Sequence, residues 1–187
     1  MRLIRYKIND SIFFGHIAND KKIYSLNHIG IDAIDIINTF MVNQSMPDLK
    51  ESQHKFDDIE LLNPLPKPNS LRDAYAFKNH VIASRKNRGL EMIPEYDEFP
   101  IYYYSNHNST YGPGSLYFHP NYFKKLDFEL ELAAVIGKEG IDINVNDADD
   151  HIFGFMIMND FSERDIQVKE MKLNLGPAKG KDVATTF

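Results

Sequence analysis

The sequence predicts an α+β protein in two parts, a small N-terminal module over residues 1–62 and a larger strand-rich part over residues 63–187. Three observations lead there. Residues 2–7 (RLIRYK) and 11–17 (SIFFGHI) are rich in β-branched and aromatic residues and are separated by the turn signal Asn9-Asp10, which predicts a hairpin. Asn63-Pro64-Leu65-Pro66-Lys67-Pro68 is a stiff, extended connector. In Leu126 to Leu132, Phe128, Leu130 and Leu132 alternate with Glu129 and Glu131, the period of a β-strand.

Taken in order, Lys22 to Leu26 offers a third strand, and Asp32 to Met41 places Ile34, Ile36, Ile37 and Phe40 near helical spacing. The polar run from Asn43 to Asp58 reads as a linker. Nothing in this module points to chemistry, and His16 and His28 read as surface or strand residues without a partner cluster. After the connector, Ala74 to Arg88 reads as a helix closed by Gly89, with Ala74, Phe77 and Val81 on one stripe. Asp73 admits two readings, an N-cap of that helix or a site residue. His80, two helical turns on, is either an ordinary helix histidine or a group reaching the same substrate as Asp73. Arg85, Lys86 and Arg88 read as a solvated basic face.

Pro94 to Pro100 is a loop, Ile101 to Ser105 a short aromatic strand, and Tyr111 to Gly114 a turn. The strand at 126–137 should enter a buried sheet, because Ala133 to Ile136 is apolar on both faces. Glu129 and Glu131 then share one face, with Cα atoms roughly 6.5–7 Å apart. Two such charges about 5 Å apart repel by roughly 3 kcal/mol at an effective dielectric near 20. A divalent cation would relieve that repulsion.

Asp147, Asp149 and Asp150 lack the spacing of a calcium-binding EF-hand loop and read as a solvated helix start. Residues 151–158 (HIFGFMIM) predict a strand buried on both faces that stops at Asn159-Asp160, placing a carboxylate at its mouth. A helix start follows, capped by Asp160 or Ser162. Leu175 to Lys181 is a loop that lacks the glycine spacing of a phosphate-binding loop. Ala184 to Phe187 is strand-like.

Composition narrows the function classes. A net charge of −6 without a basic block argues against nucleic acid as a partner. No apolar run approaches the roughly 18 residues of a membrane helix, so no membrane association is expected. Lys7, Asn9 and Asp10 interrupt the first apolar residues, so no signal-peptide core is expected. There is no cysteine, which removes thiolate metal sites and cysteine nucleophiles and agrees with a cytoplasmic location. Any bound metal would be held by oxygen or histidine, and an oxygen set favours Mg, Ca or Mn.

Four motifs in order now carry a resemblance: Arg72-Asp73 with His80, then DFELEL at 127–132, GFMIMNDFSERDIQ at 154–167, and LGPAKGKDVATTF at 175–187. Together they resemble the fumarylacetoacetate hydrolase family over residues 64–187, with the N-terminal module fitting its small first domain more loosely. The resemblance implies a mixed β-roll holding Mg or Ca, and a homodimer. It implies Asp73, Glu129, Glu131 and Asp160 as metal ligands, with Thr185 near the metal. By position it implies that His80 helps activate water, that Arg164, Gln167 and Lys181 stabilise an enolate or oxyanion, and that Tyr103 contacts substrate.

The implied activity is metal-dependent hydrolysis of a C–C bond in a β-diketo acid of the fumarylacetoacetate or acylpyruvate type, as in aromatic amino acid catabolism. A lyase or isomerase of 2-oxo acids on the same metal-enolate chemistry is the alternative, as is an inactive shortened member. Members with these motifs continue past the Ala-Thr-Thr-Phe stretch and supply there a carboxylate that pairs with the histidine. The roll is therefore expected to be incomplete at its C-terminal end.

Overall fold

The structure is a computed structural model and describes residues 1–26, 32–174 and 176–187. His28 and Leu175 lie outside the described residues.

The first sheet is built entirely from residues up to Leu62. Its strands are β1 (Leu3–Ile8), β2 (Ser11–Ile17), β3 (Ile23–Leu26), β4 (Leu49–Glu51) and β5 (Glu60–Leu62), in the order β4-β3-β2-β1-β5. The expected hairpin forms with Leu3 opposite His16 and Ile8 opposite Ser11. Asn9 makes the turn at φ 52°, a conformation asparagine tolerates better than most residues. A Cβ on Gly15 would lie 2.6 Å from the carbonyl oxygen of Tyr24, so the close approach of β2 to β3 requires glycine there.

Helix α1 (Ala33–Asn43) begins as expected at Asp32, whose Oδ1 accepts the Ile34 N–H at 3.0 Å. It buries Ala33 and Ile36 against Phe14 and Leu26, with Met46, Leu49 and Leu65 packed around them. The supposed linker over residues 43–58 is partly ordered structure instead. Leu49–Glu51 pairs with β3, and Phe56–Asp58 makes one 3-10 turn. Edge pairing is a backbone interaction, and three residues are too few to show a side-chain period.

Next come β6 (Leu71–Ala74), α2 (Lys78–Asn87) and β7 (Tyr102–Ser105), with β6 and β7 paired antiparallel. This corrects the helix expected from Ala74. Arg72, Asp73 and Ala74 are strand, and the helix starts only at Lys78 behind Phe77. Asp73 is therefore not its N-cap. The aromatic strand explains the change: Asp73 pairs with Tyr103, and the Arg72 guanidinium lies 5.2 and 5.1 Å from the Tyr102 and Tyr104 ring centres. Gly89 ends α2 as expected, at φ 71° with its N–H on the Lys86 carbonyl.

The remaining strands are β8 (Thr110–Tyr111), β9 (Leu126–Asp127), β10 (Leu130–Ile136), β11 (Ile152–Glu163) and β12 (Ala184–Thr186), with α3 (Arg164–Lys172) following β11. The sheet runs β10-β11-β12-β8, and β9 pairs with the far end of β11. The aspartates at 147, 149 and 150 are exposed in a 3-10 segment, Val145–His151.

Three expectations are corrected here. The strand at 126–137 is broken at Phe128-Glu129. Strand β11 does not stop at Asn159-Asp160 but runs on through them to Glu163. The cap of α3 is Glu163, whose Oε1 accepts the Asp165 N–H, rather than Asp160 or Ser162. The alternation of β10 is real, but β10 and β11 are not buried on both faces as expected. Leu132 and Ile157, opposite one another, are 60% and 69% exposed, while Glu129 and Glu131 are half-buried. Period two groups side chains by face and is silent on which face is interior.

Candidate metal centre

Four carboxylates converge. Asp73 comes from β6, Glu129 from the break before β10, Glu131 from β10 and Asp160 from β11. One oxygen from each lies within 4.8 Å of the other three. Strand pairing brings them together. Glu131 pairs with Met158 two residues from Asp160, and the Asp160 N–H donates to the Glu129 carbonyl at 3.0 Å. Asp73 is tied in by Tyr103, whose hydroxyl lies 2.5 Å from Asp73 Oδ2 and 2.9 Å from Asp160 Oδ2. Burial, then the Asp160 and Asp73 carboxylates, hold that phenol protonated far above its ordinary range.

Two cations close one side. Lys181, 4% exposed, donates to Glu129 Oε2 at 2.6 Å and to Asp160 Oδ2 at 2.8 Å. Arg164 Nη1 donates to Glu129 Oε1 at 2.6 Å and to Gln167 Oε1 at 2.9 Å. Its other edge binds Asp127 Oδ2 at 2.8–2.9 Å. Burial opposes the charge on Glu129, but Lys181 and Arg164 outweigh it and hold the carboxyl below its usual range. Burial likewise opposes the charge on Lys181, and Asp160 and Glu129 overcome it, so the ammonium stays protonated.

Among the described residues no cation pairs with Glu131. Burial first, then Asp73, Asp160 and Glu129, push its carboxyl from 4.5 up to about 8. Asp160 is also raised, chiefly by burial. These features test whether the residues fit a metal. The donors are all oxygen, suited to a hard cation such as Mg, Ca or Mn. Among the described residues the buried Asp160 Oδ1 has no hydrogen-bond partner, a costly arrangement unless a ligand takes it. The residues fit.

Of the expected site residues, the structure brings together Asp73, Tyr103, Glu129, Glu131, Asp160, Arg164, Gln167 and Lys181. Thr185 lies directly across the β11–β12 ladder from Asp160 and is buried. His80 is not part of the cluster's bonding. It is exposed on α2, and its Nε2 lies 3.4 Å from Ser84 Oγ. Sequence reasoning passed over two residues. Asp127 anchors Arg164, and period two would have put it on the face of Glu129 and Glu131. Glu163 is buried, and its carboxylate accepts the Lys125 N–H as well as that of Asp165. No local pattern marks it.

The chain is similar to known proteins in sequence and in fold. Residues 70–187 match the family profile described as fumarylacetoacetate (FAA) hydrolase C-terminal. A fumarylacetoacetase of Arabidopsis thaliana is 36% identical over 164 residues, which is 74% of this chain and 37% of that protein. An oxaloacetate tautomerase of Bacillus subtilis is 32% identical over 134 residues, 69% of this chain and 42% of that one. Among solved structures, a fumarylacetoacetate hydrolase from Exiguobacterium antarcticum superposes with a TM-score of 0.71 at 20% identity, over 98% of this chain and 62% of that chain. The chain thus spans well under half the length of these two curated relatives. Among the described residues no helix is long and apolar enough to cross a membrane. A profile covering most of the chain, over the segment that assembles the four carboxylates, shows that it belongs to the fumarylacetoacetate hydrolase family.

Proposed function

We propose that this chain carries the catalytic groups of a metal-dependent hydrolase that cleaves a C–C bond in a β-diketo acid of the fumarylacetoacetate or acylpyruvate type. The observation that carries the reading is the meeting of four carboxylates with a buried lysine and an arginine on one wall. Asp73, Glu129, Glu131 and Asp160 would hold Mg or Ca, which would supply Lewis acidity to the oxygens of a bound 2-oxo acid or diketone. Thr185 faces the same space from β12.

The chain's own groups supply the rest. The reaction adds the oxygen of water to the distal carbonyl carbon. The C–C bond then breaks, and its electron pair passes into the enolate of the ketone fragment, which takes up a proton. Lys181 is charged and buried, so it can donate to the enolate oxygen without first shedding water. Arg164, oriented by Asp127 and Gln167, adds a second fixed positive charge. Tyr103, whose hydroxyl bonds the Asp73 and Asp160 carboxylates, would contact substrate beside them. His80 would accept the proton of the attacking water, and it must turn from Ser84 to do so.

That last requirement favours a second reading, a 2-oxo acid lyase or isomerase, in which no water-activating histidine is needed. The likeness to an oxaloacetate tautomerase supports it. Product analysis with magnesium, using an acylpyruvate and oxaloacetate as substrates, separates the two. The hydrolase reading expects acylpyruvate cleavage, lowered on the order of a hundredfold by His80→Ala. Oxaloacetate turnover that His80→Ala leaves unchanged would overturn it. A chain that binds magnesium but turns over neither substrate would be an inactive member of the family.

A further inference from the structure

We propose that Glu170 is a positioning residue for Lys181: it clamps the loop over residues 176–181 to α3 and thereby holds the ammonium inside the carboxylate cluster. The inference rests on the role given above to Lys181.

Glu170 lies near the end of α3, three residues beyond Gln167 and on the same side of the helix. Its carboxylate accepts N–H groups from three successive residues, Ala178 at 3.3 Å, Lys179, and Gly180 at 2.9 Å. Successive amides that converge in this way form an anion cradle, the kind of concavity that elsewhere binds phosphate. Here the chain's own carboxylate fills it. Among the described residues Glu170 forms no ion pair, so these amides are its partners.

The loop is tied at further points. The Gly180 carbonyl accepts the Glu163 N–H at 2.8 Å, and the Lys181 N–H returns to the Ala178 carbonyl at 3.0 Å. A Cβ on Gly180 would come within 2.8 Å of the Gln167 backbone, so the loop lies directly on the helix. Lys181 is the next residue. Its side chain is fixed at one end by this clamp and at the other by Glu129 and Asp160. A flexible four-carbon stem aims poorly unless its backbone is held. Glu170 provides that hold without touching the substrate.

The test uses Glu170→Gln and Glu170→Ala in the full 187-residue chain, with Gly180→Ala as a second way to lift the loop. The glutamine keeps the size of the side chain but turns an N–H₂ toward backbone donors. Lysine acetylation by acetic anhydride, read by peptide mass spectrometry, reports the accessibility of Lys181 against exposed Lys172. Amide hydrogen exchange reports the cradle at residues 178–180. In all three variants Lys181 is expected to label at least about tenfold faster, with exchange accelerated locally at the loop. With an acylpyruvate and magnesium, kcat should fall on the order of a hundredfold, as for a misplaced catalytic group, while KM stays within about twofold. Unchanged Lys181 labelling would overturn the inference. So would a labelling increase shared equally by Lys7 and Lys22 in the first sheet, which marks general unfolding. The labelling decides the positioning role by itself, whereas lack of turnover in the unaltered chain would count against the hydrolase reading instead.

Discussion

The first sheet with α1 and the later sheet around β11 use burial in opposite ways. The first buries Tyr6, Ile23, Leu26 and Ile36, and even its one interior hydroxyl, that of Tyr6, is satisfied by Ser25 and His54. The second buries Asp160, Glu163, Lys181 and Thr185, while Leu130, Leu132, Phe155 and Ile157 stand exposed on the opposite face. Apolar burial stabilises a fold at about 25 cal/mol per Å². Buried charge costs free energy unless it is paired. The second region offsets that cost with Lys181 and Arg164 at the carboxylate cluster and with backbone N–H groups at Glu163, and among the described residues Glu131 has no cation partner. A charge arrangement that is unfavourable by itself and converges on one point is the mark of a site.

That contrast can be broken in three ways, from the largest effect to the smallest. Asp160→Asn should lower magnesium affinity by more than the roughly 10–100-fold typical of residues that merely support a ligand. Isothermal titration calorimetry measures it, and affinity within threefold of the unaltered chain would contradict the ligand role. Ile36→Ala, in the apolar core of α1, should cost about 2–5 kcal/mol of stability in urea unfolding. It should leave magnesium affinity unchanged while the chain is folded, because Ile36 packs against Phe14 and Leu26 and not against the carboxylates.

The third concerns pH. The carboxyl of Glu131 titrates at about 8 in the folded chain against an ordinary 4.5. A raised pKa means that the folded chain holds the proton more tightly than the unfolded one. This contribution to stability is therefore complete below 4.5 and is lost as pH rises through about 8. Without metal, the melting temperature should fall across that window, and Glu131→Gln should flatten the fall. Magnesium affinity should run the other way and rise with pH, because the ion needs the ionised carboxylate.

Much of this was readable in the residues. Asn9-Asp10, Asp32 and Gly89 mark their turn, cap and helix end because each acts through local backbone geometry. The alternation of Glu129 and Glu131 put both on one face. What local patterns could not carry was long-range. Asp73 was placed ahead of a helix, because only pairing with the tyrosine strand makes it part of β6. Burial of β10 and β11 on both faces does not follow from their apolar runs, because such a run does not say what covers each face. Glu163 and Glu170 carry no sequence signal, because their partners are backbone amides, which leave no trace in residue identity.

Every role given to this site depends on one ion meeting four carboxylates. The most direct test is a crystal of the chain grown with manganese, with the metal located by its anomalous scattering. The account predicts a single strong peak within about 2.0–2.6 Å of an oxygen from each of Asp73, Glu129, Glu131 and Asp160. A peak elsewhere, or one that leaves Asp73 or Asp160 turned away from the two glutamates, would contradict it.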